Sequence, residues 1–291
     1  MHSYLRAVGF SDISKKDLTE LIKEIVQTYD EKMVVDEDDH RLFAEISKSF
    51  GYDCGITVCG EYDEDDEFQE EYYFPYFRGT GITTREDVMV ERRSEKECFS
   101  GACDDVRIGV TLIFYLANAG QYLTEKYKGA LNQGRTTVTL SALSTDGKII
   151  LPIQKNTEQM ERDQQTTKKR AQLIHEARKG NEEAMENLTM EDMDTYSMIS
   201  RRIVNEDVFS IVDSYFMPYG MECDRYNIMG EIVELMETQN EWTGEKLYQL
   251  TINCNDLQFD VCMNKNDLMG EPQVGRRFKG VIWLQGNLNF A

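Results

Sequence analysis

Leu247-Tyr248-Gln249-Leu250-Thr251-Ile252-Asn253-Cys254-Asn255-Asp256-Leu257-Gln258-Phe259-Asp260-Val261-Cys262-Met263 is the stretch on which the fold turns. Two strand-like runs, Leu247 to Cys254 and Leu257 to Met263, flank the dipeptide Asn255-Asp256, and short polar residues of this kind suit a two-residue hairpin turn. Working outward, Tyr226 to Met236 reads as a long strand. Before it, Val208 to Val212 leads into Tyr215-Phe216-Met217-Pro218, and after the Gly270-Glu271-Pro272 loop Arg277 to Leu284 supplies another strand. Five short strands within 205–291 predict a small barrel or rolled sheet, with an oligonucleotide-binding (OB-like) barrel as one form of it. The helix that such a barrel carries between strands three and four is reduced to about one turn at Lys265–Met269.

Further upstream, Ser14 opens a helix whose Leu18, Leu21, Ile22, Ile25 and Val26 share a face. Leu42, Phe43, Ile46 and Phe50 predict a second short helix from about Arg41, stopped by Gly51. From Gly55 the period changes to that of strands. Ile56 and Val58 alternate with Thr57 and Cys59, Tyr72 to Phe77 is an aromatic run, Asp87 to Glu91 alternates again, and Val106 to Leu116 is the longest period-2 series. Thr136 to Ile153 predicts a hairpin turned near Asp146-Gly147. Residues 156–204 shift to polar, Gln-, Arg- and Lys-rich sequence. They predict a helical connector that includes two short helices, Glu182–Leu188 and Met190–Ile203. The expected fold class is therefore α+β: an N-terminal antiparallel sheet with packed helices (1–155), a helical connector (156–204) and a small barrel-like domain (205–291).

The charge limits the partners. Fifty-three acidic against 32 basic side chains leave a net −21. Such a chain repels phosphate backbones and anionic lipid surfaces, which argues against nucleic acid and membrane as partners. The longest apolar stretch, Val110 to Ala119, is too short to span a bilayer, and the first residues hold no apolar run of signal length. Seven cysteines in no tight framework fit reduced thiols, so a cytoplasmic location is expected.

Motifs that carry chemistry are scarce. The Cys-x4-Cys pairs Cys54/Cys59 and Cys98/Cys103 could together offer four thiolates to zinc, but the first pair sits in a strand pattern that points its two side chains to opposite faces, and the pairs read as buried free thiols. Glu61 to Glu71 carries eight carboxylates in eleven residues, but it lacks the glycine and ligand spacing of a calcium loop and reads as a solvated hairpin loop. Asp36 to Asp39 is a second acidic loop. The three histidines (2, 40 and 175) stand near no nucleophile elbow, and no phosphate-binding loop, zinc-protease motif or dinucleotide fingerprint is present. No cofactor and no metal is called for. The segment Gly270 to Gly286 combines Arg276, Arg277 and Lys279 with Trp283, as single-strand binding by stacking would want. Against that, 206–291 holds fourteen acids and six bases, a net −8.

Tyr4-Leu5-Arg6-Ala7-Val8-Gly9-Phe10, Gly109-Val110-Thr111-Leu112-Ile113-Phe114-Tyr115-Leu116, Tyr215-Phe216-Met217-Pro218-Tyr219-Gly220 and the segment from Gly270-Glu271-Pro272 to Trp283-Leu284-Gln285-Gly286 together resemble a clostridial family catalogued as domain of unknown function 3881. The resemblance covers nearly the whole chain. It implies a bacterial cytoplasmic protein and carries over no activity or site.

The expectation drawn from the residues is a non-catalytic binding or interaction protein. Its candidate contact residues are Trp242, in the turn Asn240-Glu241-Trp242-Thr243-Gly244, with Arg276, Arg277 and Lys279; a protein partner would use them. Unpaired strand edges leave room for a homodimer. The alternative is an enzyme or small-ligand-binding protein that uses carboxylates in a pocket between the β-rich parts. Single-stranded nucleic-acid binding by the C-terminal barrel is a third, weaker reading.

Overall fold

Asn255 and Asp256 both adopt positive φ (53° and 63°), as a two-residue type I′ turn requires, and the strands they join pair in register from Leu247–Asn264 to Cys254–Leu257. The computed structural model that contains this hairpin describes residues 1–36, 42–93, 98–105, 107–129, 131, 136–153, 166, 169–170, 172–177 and 179–290. In chain order these form a 3-10 turn (Ser3–Val8), α1 (Lys15–Gln27), β1 (Glu31–Asp36), β2 (Leu42–Gly51), β3 (Cys54–Tyr62), β4 (Phe68–Phe77), β5 (Val88–Arg92), β6 (Phe99–Asp104), β7 (Thr111–Leu116) and α2 (Ala119–Tyr127). There follow β8 (Thr137–Ile150), α3 (Glu182–Ile203), a single helical turn (Val208–Ile211), β9 (Tyr215–Pro218), β10 (Arg225–Gln239), β11 (Lys246–Cys254), β12 (Leu257–Asn264), a 3-10 turn (Lys265–Asp267), β13 (Leu268–Met269) and β14 (Arg277–Asn289). Among the described residues no helix is long and apolar enough to cross a membrane.

The barrel closes through β10-β11-β12-β8-β14 and back to β10, antiparallel everywhere except at β12–β8. This is the neighbour order of an OB-like barrel whose fifth strand has been moved to the front of the chain, and the 3-10 turn Lys265–Asp267 stands where the helix after strand three would be. The first strand-like run expected in this region, Val208–Val212, is instead a helical turn, capped by the Asp207 carboxylate on the Phe209 N–H. The strand that closes the barrel is β8, which pairs with β14 from Arg277–Ile150 to Asn289–Thr137. Hydrogen bonding therefore joins β8, from the part expected to end at 155, to strands of the part expected to begin at 205.

The hairpin expected at Asp146-Gly147 does not form, because β8 runs straight through it. Its turn signal is overridden by pairing on both sides, with Gly280 on one and Leu268 on the other, and a register shift opposite Val281/Ile282 takes up the extra residue. Gly147 serves close packing instead: a Cβ there would lie 2.6 Å from the Phe278 ring and 2.9 Å from Met263 Cε.

The second expected helix, Arg41 to Phe50, is also a strand. β2 lies between β1 and β3 in the antiparallel sheet β1-β2-β3-β4, and Phe43, Ala44, Glu45 and Ile46 are all buried. A central strand covered on both faces shows a continuous buried run rather than alternation, and this one happened to match a helical period. One face of the sheet takes Leu18, Leu21, Ile22 and Ile25 of α1, whose N-cap is Ser14 as expected. The other face looks toward the barrel and α2, a helix the sequence pattern did not announce.

Two smaller differences remain. The period-2 series from Val106 contributes only β7, since Ile108 sits in a turn bonded to Asp105, and β7 joins β14 in parallel to carry β6 and β5 outward. The two short helices at 182–203 are one, α3, capped by Asn181. Glu37, Asp38, Asp39 and His40, with the polar start of the connector at 156–165, lie outside the described residues.

Candidate functional site

The four-stranded sheet and the barrel are stapled together along β4. Gln285 is fully buried and uses both ends of its amide, donating to Pro75 O (2.8 Å) and accepting from Phe77 N (3.1 Å). Ser141 Oγ donates to Phe77 O at 2.5 Å, and Asp260 accepts from the N–H and hydroxyl of Thr80 (2.7 and 2.8 Å). These buried polar groups are satisfied only when the two layers are in register, so they fix the junction. Away from the staples the layers part into an open cleft of about 740 Å³. It is bounded by β1, β2, β3 and the end of β4 on one side, and by the start of α2 and the end of β14 on the other.

Glu45 stands in its lining. Strand register places Glu45 and Ser47 of β2 on one face with Met33 and Glu31 of β1 and with Cys59 and Thr57 of β3. Glu45 is only 8% exposed. Its Oε2 accepts the Gly120 N–H at 2.8 Å and the carboxyl also takes the Ala119 N–H, so the free amides at the start of α2 cap it. Gly120 makes this approach possible, since a Cβ at that position would fall 2.8 Å from Oε2 and 3.2 Å from the Met33 sulfur. The other oxygen, Oε1, is shut off from solvent with no hydrogen-bond partner among the described residues. Burial opposes the charged form more than the two amides favour it, and the carboxyl pKa rises to about 7.

The rest of the lining is polar. Arg78 clasps Glu31 through its two terminal guanidinium nitrogens and lies over the Tyr76 ring at 5.1 Å, so its charge is already matched. Lys32 donates to the Tyr62 hydroxyl at 2.7 Å, and Asp30 accepts the Ser49 N–H. Ser47 and Thr57 share a hydrogen bond of 2.8 Å. Carboxamides of Asn118, Gln121, Asn287 and Asn289 complete the opposite side. Beyond Glu45, away from the mouth, Cys59 bonds Tyr72 and Cys98 bonds Tyr115. Burial pushes all four of these groups upward, so they are neutral near pH 7.

The residues expected from sequence to make contacts are placed elsewhere and apart. Arg277 is a correction: it is 4% exposed, and its guanidinium is spent on the carbonyls of Leu151, Val212 and Phe209 at 2.7–3.0 Å. It ties β14 to the end of β8 and to the helical turn. Arg276 donates to Glu271 O and is half-buried, while Lys279 lies 5.8 Å from the Phe209 ring. Trp283 is 5% exposed and donates to Asp224, so it offers no stacking platform. Trp242 is 51% exposed, and its ring rests against Phe10 at 5.7 Å. It lies past the far end of β10 from Arg277, which pairs with Glu231, an interval on the order of 25 Å along the strand. The four do not form one surface. The acidic stretch is a hairpin loop, in which Asp63 accepts the N–H groups of Asp65 and Glu67.

Sequence reading missed Glu45 because a helix from Arg41 would have put it on the solvent side. The available signal was a lone carboxylate inside the apolar run Phe43-Ala44-Glu45-Ile46.

Fold and cleft together define an α+β protein in which a closed five-stranded barrel and a four-stranded antiparallel sheet frame a polar, carboxylate-bearing cleft. The chain belongs to the family DUF3881, a domain of unknown function described from an E. rectale gene, whose model matches residues 5–286. No curated protein and no solved structure matches it.

Proposed function

We propose that this protein binds a small polar ligand in the cleft between the four-stranded sheet and the barrel. One observation carries the reading: Glu45 is held by backbone amides in the lining of the cleft, with one carboxylate oxygen buried and unpartnered. A buried acceptor without a donor costs roughly 1–3 kcal/mol, and a ligand that supplies the donor recovers that cost on binding. The volume is in the range of small-molecule sites, and a few convergent polar groups on rigid strands are what such sites use for orientation. The free thiols and the acidic surface suit a protein of the cytoplasm.

The test is a thermal-shift screen of the full chain against polar metabolites, run beside Asn287→Trp. Asn287 lines the cleft and is half-buried, so an indole there occludes the space. The expected result is at least one compound that raises Tm with concentration in the wild type and not in Asn287→Trp. A screen in which every stabilising compound acts equally on both proteins would dispose of the cleft.

A further inference from the structure

Resting on that reading, we infer that the cleft's ligand is a small organic cation bearing a primary ammonium, which pairs with the Glu45 carboxylate. The charges on the lining lead there. Of its three carboxylates, Glu31 is matched by Arg78, and Asp30 accepts a backbone N–H. Its two cations are engaged as well, Arg78 by Glu31 and Lys32 by the Tyr62 hydroxyl. Glu45 is the buried one of the three, and among the described residues it faces no cation and is held by the two amides at the start of α2.

A carboxylate in that position is stabilised far more by a positive ligand group than by a neutral one, because a buried charge needs a countercharge as well as a hydrogen bond. An anionic ligand would meet an uncompensated carboxylate and be rejected. The lining carboxamides and the Ser47–Thr57 hydroxyl pair suit the polar remainder of such a molecule.

The groups packed around Glu45 leave its titration as the control. From β1 it is faced by Met33 and Glu31, from β3 by Cys59, from β4 by Tyr72 and from β7 by Tyr115, with Cys98 beyond them. Cys59, Tyr72, Tyr115 and Cys98 are pushed upward by burial and Glu31 is held down by Arg78, so none of these changes charge near neutrality. Bound ammonium requires ionised Glu45. With its pKa about 7, the ionised fraction falls, and apparent affinity weakens about 30-fold, between roughly pH 8 and pH 5.5.

The probes are ethanolammonium and 1,4-diammoniobutane, each against its neutral diol (ethylene glycol and 1,4-butanediol), titrated into the full chain by calorimetry. Support consists of amine binding at pH 8, loss of about 30-fold at pH 5.5, and its disappearance in Glu45→Gln. Binding of the diols alone, or amine binding that Glu45→Gln leaves intact, overturns the cation while the cleft stands. If neither probe binds and Asn287→Trp changes no response in the metabolite screen, both readings fall. Should Glu45→Gln fail to fold, the pH series on the wild type decides, since no described histidine lines the cleft.

Discussion

Replacing Glu45 by Gln should make the ligand-free protein more stable at alkaline pH while leaving it nearly unchanged in acid. The carboxyl pKa is about 7 in the folded chain, against 4.5 for an ordinary glutamate, so the folded state holds a proton that the unfolded chain gives up earlier. A raised carboxyl pKa contributes stability in full below about pH 4.5 and loses it as pH climbs through 7. At about 1.4 kcal/mol per pH unit, the shift corresponds to roughly 3 kcal/mol lost by about pH 8. Gln keeps a carbonyl for the Gly120 and Ala119 amides and never ionises. The difference in unfolding free energy, variant minus wild type, should therefore grow by about 2–3 kcal/mol between roughly pH 5 and pH 8 and then level off. Urea denaturation of both proteins across that range measures it, and other titrating groups cancel in the subtraction. Parallel pH curves would refute the reasoning, because Glu45 would then titrate alike in the folded and unfolded states.

Arg277→Met should cost about 2–4 kcal/mol, since it leaves the carbonyls of Leu151, Val212 and Phe209 without their donor; a loss below 1 kcal/mol in urea unfolding would mean that the guanidinium is not holding them. Gly147→Ala should cost about 1–3 kcal/mol through collision with Phe278 and Met263, and an unchanged Tm would return Asp146-Gly147 to the hairpin turn that sequence suggests. Trp242→Ala should lower Tm by about 2–4 °C, because half of the ring is exposed and the remainder packs on Phe10; a fall of ten degrees or more would make it a core residue.

What could be read in the sequence follows from whether local signals and tertiary pairing agreed. Asn255-Asp256 sits between runs that pair with each other, so propensity and tertiary structure pointed the same way. Ser14 likewise caps a helix with one buried face and one wet one. At Asp146-Gly147 the two disagreed, and the long-range partners β12, β13 and β14 decided. Parallel pairing of β8 with β12 joins residues more than a hundred positions apart, and no single-sequence period encodes it. Glu45 was hidden for the same reason: its burial depends on β1, β3 and α2 closing over β2. Arg277 belonged to the densest basic cluster of its region, yet three carbonyls drew it inside, which a composition count cannot foresee.

The permuted barrel also explains why a cleft exists at all. Because β8 closes the barrel, β14 can run on to Asn289 beside Thr137, past the point at which Gln285 is stapled to β4. Its last residues, Asn287 to Asn289, with Phe290 after them, thus become one wall of the cleft. Nearby, Asn118 fastens the entry to α2 to β14 by donating to Leu288 O and accepting from Leu288 N, which aims the helix start at Glu45. The walls of the cleft are therefore fixed by the same hydrogen bonds that join the layers. A carboxyl whose ionisation costs about 3 kcal/mol is a large burden beside the 5–15 kcal/mol by which domains are stable. An apolar residue on β2 would avoid that cost but would leave the Ala119 and Gly120 amides without an acceptor. A glutamine would serve the amides without the charge. What glutamate supplies at this position, and glutamine does not, is a negative charge, and it is on that charge that the proposed ammonium ligand rests.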